Sequence, residues 1–98
     1  MRMFMSVQLP TQSGNAAVEN GALAKVMGRF IETFRPEAAY FITVDGERCA
    51  HLYFDMQDAA QMPPIAEPMF MLGAKVTYCP AMNGEDLKKG IGAYMAGR

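Results

Sequence analysis

The chain is most constrained by one dipeptide, Asp45-Gly46, set between the apolar runs AAYFITV and ERCAHLYFD. A two-residue type I′ turn needs positive φ at both central positions, which Asp-Gly supplies, so the stretch from Glu37 to Met56 reads as a tight β-hairpin. A two-residue loop also sets the pairing: Val44 opposite Glu47, Thr43 opposite Arg48, Ile42 opposite Cys49, Phe41 opposite Ala50, Tyr40 opposite His51 and Ala39 opposite Leu52. Side chains alternate along a strand, so the hairpin divides into two surfaces. One carries Ala39, Phe41, Ala50, Leu52 and Phe54 and is expected to take helices. The other carries Tyr40, Ile42, Cys49, His51, Tyr53 and Asp55, apolar bodies with polar tips suited to a partner subunit or a small ligand.

The remaining elements are read around this hairpin. Met3, Met5, Val7 and Leu9 alternate with Phe4, Ser6 and Gln8, which predicts a first strand ended by Pro10. Thr11 to Asn15 is polar and contains a glycine, and is read as a loop. From Ala16 the spacing of Leu23, Val26, Met27, Phe30, Ile31 and Phe34 predicts a helix, bent or broken early by Gly21 and stopped before Pro36. After the hairpin, Asp58 and Gln61 resemble a capping box, with a short or kinked helix expected from Pro63 to Leu72 because Pro68 lies inside it. Gly73 closes that helix, and Ala74 to Met82 forms a strand with Val76 and Tyr78 on one face and Lys75, Thr77 and Cys79 on the other. Pro80 places it at a sheet edge. Asn83 caps a last helix with the stripe Leu87, Ile91 and Tyr94 or Met95, weakened by Gly90 and Gly92.

This order is βαββαβ with an extra C-terminal helix, an α+β ferredoxin-like sandwich whose antiparallel four-stranded sheet runs 4-1-3-2. At 98 residues the chain has room for a single domain over residues 1–98. Helices on one side leave the other face of the sheet open, and Phe4, Tyr40, Ile42 and Tyr53 make that face too apolar to stay wet. A homodimer through it is expected.

Composition narrows the function classes. Nine basic against ten acidic residues, a net charge of −1 and no basic stripe argue against nucleic acid as a partner. No apolar run nears the roughly 20 residues of a membrane span, and MRMFMSVQLP lacks the form of a signal peptide, so a cytoplasmic chain with no membrane partner is expected. Two cysteines and one histidine match neither a disulfide scaffold nor a metal site. The sheet order also sets Cys49 and Cys79 on strands separated by the first one, about 9 to 10 Å apart and outside disulfide reach. Ten methionines suit gap-filling in a core and at a subunit interface.

Through this element order, and through PPIAEPMFMLGAKVTYCPAMNGEDLKKGI from Pro63 to Ile91, the chain resembles the dimeric α/β-barrel superfamily, in particular its small bacterial members without assigned activity. The resemblance implies two ferredoxin-like subunits packed sheet against sheet. It does not choose a function, since muconolactone isomerase-like enzymes, cofactor-free monooxygenases and simple binding modules share the fold. No motif for a cofactor or metal is found.

The candidate site lies on the open face. His51 beside Tyr40, with Tyr53 further along, could perform general acid-base chemistry on a small cyclic substrate; packing of His51 against its neighbours is the competing role. Phe4, Ser6, Ile42 and Cys49 are the candidate ligand contacts, Cys49 being also suited to a small buried apolar role. Whether the chain is an enzyme stays open at this level. Binding of a small apolar or aromatic molecule, between sheet and helices or between sheet and partner, is favoured over a cofactor-independent isomerase or monooxygenase.

Overall fold

The computed structural model describes all residues, Met1–Arg98. The chain runs β1 (Arg2–Leu9), α1 (Thr11–Glu19), α2 (Ala22–Phe34), β2 (Ala38–Val44), β3 (Glu47–Asp55), a 3₁₀ turn (Ala59–Gln61), α3 (Met62–Phe70), β4 (Lys75–Pro80) and α4 (Gly84–Ala96). All pairings are antiparallel and the sheet order is β2-β3-β1-β4, the 4-1-3-2 order expected, compatible with a ferredoxin-like sandwich. The hairpin register is the one set by the Asp-Gly loop, Tyr40 facing His51 and Ile42 facing Cys49. Asp45 and Gly46 have φ of 53° and 74°, the two positive values a type I′ turn requires.

Register then decides the core. Odd residues of β1 and even residues of β3 share a face, and Met3, Met5, Val7, Leu9, Ala50, Leu52 and Phe54 are all buried there. Helix α2 contributes Met27 and Phe30, and α3 contributes Ile65 and Met69. Phe30 meets Phe54 edge-on at 5.2 Å between ring centroids, and Phe34 closes the same cluster. Five methionines, Met3, Met5, Met27, Met56 and Met69, fill this core, in line with their flexible, unbranched shape.

Thr11 to Asn15 is helix rather than loop. The Pro10 carbonyl accepts the Gly14 N–H at 2.8 Å and the Ser13 hydroxyl at 3.2 Å, so the first turn starts directly after β1. The segment's polarity reflects exposure of α1, whose only buried residues are Gly14 and Ala17. A β-carbon at Gly14 would stand 2.6 Å from Arg48 Nη1 and 3.2 Å from Leu9 Cγ; the missing side chain lets α1 sit close to the sheet. Gly21 breaks the helical run with φ of 80°, and α2 starts at once behind it.

Asp58 accepts the Ala60 N–H at 2.8 Å, while Gln61 reaches one residue further back than a standard capping box, to the Gln57 N–H. Pro68 sits inside α3, with Pro64 one turn earlier. Both are exposed, so the carbonyl that Pro68 leaves without an N–H donor is open to water.

Helix α4 differs from the others. Asn83 and Asp86 form a reciprocal capping box, yet no residue of the helix is buried. The chain as a whole measures 54 × 28 × 19 Å along its principal axes. The radius of gyration is 15.8 Å, against about 13 Å for a compact chain of this length. A helix of 13 residues is marginal by itself in water, and each interior glycine, here Gly90 and Gly92, lowers its stability by about 1 kcal/mol.

Candidate functional site

Two apolar surfaces remain on the chain, one on each side of the sheet. On the open face, residues fall into rows across the strands. Ala38, Tyr53, Phe4 and Cys79 form one row; Tyr40, His51, Ser6 and Thr77 form the next; Ile42, Cys49, Gln8 and Lys75 form a third. The candidate residues read from the sequence, His51, Tyr40, Tyr53, Phe4, Ser6, Ile42 and Cys49, therefore lie together on one face. Aromatic and apolar groups crowd the β2–β3 half and Phe4 of β1, while Ser6, Gln8, Lys75 and Thr77 make the rest of the β1–β4 half polar.

Within this patch Phe4 meets His51 edge-on at 4.9 Å and packs against Tyr53 at 5.1 Å. Such contacts order the imidazole by packing. Tyr40 is 63% exposed and Ile42 43%, whereas Cys49 is buried and shares a hydrogen bond with Ser6, Sγ to Oγ at 3.3 Å. Cys49 thus behaves as a small packed group. Cys79, exposed at the far edge, is also free, with β1 between the two cysteine strands. Gln8 Nε2 donates to Glu47 Oε1 at 2.9 Å and closes the turn end of the face. At the opposite end Arg2 donates to Glu37 at 2.6 Å, and that bond and charge raise the guanidinium pKa above its ordinary value.

The other surface lies on the helix side, the face expected to take helices and one of the two places where a bound molecule is expected. Phe41 projects to that side but is 62% exposed. Helix α2 packs its Phe30 and Phe34 against Phe54, toward the start of β2, and leaves the turn end of the hairpin uncovered. The result is a cleft of about 620 Å³ between α2 and the hairpin. Its walls include Leu23, Met27 and Phe41, and its floor Val7, Leu9 and Ala50. Thr43 and Arg48 are its polar groups, Arg48 being held by Asn15 of α1 at 3.1 Å.

Of the residues singled out on sequence grounds, only Ile42 and Cys49 also border this cleft. Leu23, Met27, Phe41 and Ala50 were read as core. A signal for the cleft was present: Thr43 and Arg48 are a cross-strand pair on the supposedly apolar face, and polar groups there mark an end that helices do not cover. No three His, Cys, Asp or Glu side chains come together in a way that could hold a metal ion, and no helix is long and apolar enough to cross a membrane.

Comparison with known proteins finds no match to this chain among family models, curated proteins or solved structures.

Proposed function

We propose that this chain binds a small apolar or aromatic molecule in the cleft between α2 and the hairpin, and does so as a homodimer of the dimeric α/β-barrel kind closed through the open sheet face. The observation that supports it is the cleft. At about 620 Å³ it lies in the range of small-molecule sites, with apolar walls and few polar groups. Arg48 and Thr43 at its rim would orient a polar end of the ligand. For the dimer, support comes from Tyr40 and Ile42, exposed next to Phe4 and Tyr53 on a face with no helix over it.

Native mass spectrometry of gently purified protein tests the binding reading, followed by titration with the fluorescent apolar anion anilinonaphthalene sulfonate. A retained small molecule, or saturable probe binding weakened at least about tenfold by Phe41→Asp, is the expected result. Probe binding unaffected by Phe41→Asp removes the cleft from consideration. Sedimentation of wild type against Ile42→Glu tests the dimer, which should shift to monomer in the variant.

A second reading follows from the row Tyr40–His51, flanked by Phe4 and Tyr53. An imidazole beside a phenol can shuttle a proton, the chemistry of a cofactor-independent isomerase or monooxygenase of small cyclic compounds. His51→Gln keeps hydrogen bonding but replaces the imidazole with an amide that cannot take up and return a proton, so it should abolish any turnover while leaving probe binding in the cleft intact.

A further inference from the structure

We infer that α4 is an exchanged arm, its apolar stripe packed on a second copy of this chain. The inference rests on the dimeric part of the reading above and adds the element that holds the two copies together.

Leu87, Ile91, Tyr94 and Met95 recur at spacings of four, three and one, a single face of a helix. They are 51%, 53%, 65% and 53% exposed, so the protomer leaves the whole stripe in water. Apart from the adjoining residues and backbone of α4 itself, nothing in the chain approaches within 4 Å of where a β-carbon at Gly90 or Gly92 would stand. A well-capped helix tied to its own chain by the Arg2–Asp86 pair, but with nothing over its apolar face, needs a cover for that face from elsewhere.

The surface area gives the size of what is missing. The protomer exposes 6589 Å² at 10.8 kDa. Scaling for folded monomers gives about 5,500 Å² for that mass, an excess of about 1,000 Å². A stable interface of standard size covers about 800 Å² per partner, so the excess suffices for one.

A second copy is the occupant because the arm and an uncovered apolar face sit side by side on the same chain. Asp86, in the first turn of α4, lies 3.5 Å from Arg2 Nη1, and Arg2 stands in the open-face row with Asp55. The arm therefore leaves from the open-face side, next to the face carrying Tyr40 and Ile42. A two-fold axis through that face would bring each α4 against the other copy, which is the self-complementarity an isologous dimer requires. The charges of α4 are mixed, Glu85 and Asp86 against Lys88 and Lys89, so no single-sign patch selects a nucleic acid or a lipid surface.

The test is sedimentation velocity and amide hydrogen exchange on the full chain at micromolar concentration. Wild type should be a dimer with slow exchange across α4. Leu87→Glu with Ile91→Glu should weaken dimerisation by about 100-fold and make α4 amides exchange rapidly. Neither residue is buried in the protomer, so the variant retains its fold. As a control, Lys89→Glu with Ala96→Glu, on the opposite side of the helix, should leave the dimer unchanged. A Leu87→Glu/Ile91→Glu protein that dimerises as tightly as wild type overturns the arm. If Ile42→Glu then still gives monomer, the sheet-face dimer survives without it. If Ile42→Glu has no effect while the α4 pair dissociates the dimer, the arm holds and the sheet-face reading falls. A monomeric wild type overturns both.

Discussion

Two phenylalanines on the same side of the sheet should respond very differently to truncation. Phe54 is 1% exposed, with Phe30 edge-on at 5.2 Å and Phe34 at 6.0 Å. Phe54→Ala opens a cavity in a packed aromatic cluster and should cost about 3–5 kcal/mol. Phe41 is 62% exposed and lies along the edge of the cleft. Full burial of such a side chain is worth about 1.5–3 kcal/mol, so the two fifths that are covered here give about 1 kcal/mol for Phe41→Ala. The chain has no tryptophan, so far-UV circular dichroism through a urea titration is the suitable readout. With a slope of about 1.5 kcal/mol/M, Phe54→Ala should lower the midpoint by about 2–3 M and Phe41→Ala by less than about 1 M. Equal losses would mean that Phe41 is covered in solution and that the cleft is closed, which would refute the site. A small loss for Phe41→Ala together with lost probe binding is the outcome the geometry requires.

Three further outcomes follow from individual contacts. Burial pushes the Tyr78 phenol from 10.0 up to about 12, and its hydroxyl donates to the Met62 carbonyl at 3.1 Å. The folded state then holds a proton that the unfolded state releases, so stability present below pH 10 is lost as pH rises toward 12. Tyr78→Phe should flatten that part of an alkaline unfolding curve and remove the latest component of the tyrosinate absorbance titration. Gly14→Val should destabilise by about 1–3 kcal/mol in thermal melts, because buried Leu9 cannot retreat from the new side chain; a neutral result would place α1 further from the sheet. Asn83→Ala removes half of the α4 capping box and should cost about 1 kcal/mol, read as faster amide exchange in α4 with β3 amides unaffected.

Local chemistry made much of this protein legible in its sequence. Asp45-Gly46 sets the hairpin register because only a short list of residues accepts positive φ twice in succession, and parity then places His51, Tyr40 and Ile42 on one face and Leu52 and Phe54 on the other. Alternation in β1, the break at Gly21, the edge position of Pro80 and the Asn83 cap are equally local, and each depends on atoms within a few residues. The α1 segment was not legible, since its polarity reflects the exposure of a helix rather than a loop, and the close approach that seats it, Gly14 against Arg48 of β3, joins elements far apart in the chain. The position of the cleft was legible only in the polar pair Thr43 and Arg48: hydrophobicity marked Phe41 for burial, but whether a helix reaches it depends on where α2 lies across the sheet, and the Phe30–Phe34–Phe54 cluster lies toward the other end. The exposure of α4 belongs to the same class. Its apolar stripe is written in the sequence, but the surface it meets depends on the direction in which the chain leaves β4, and that direction is a property of the tertiary structure alone.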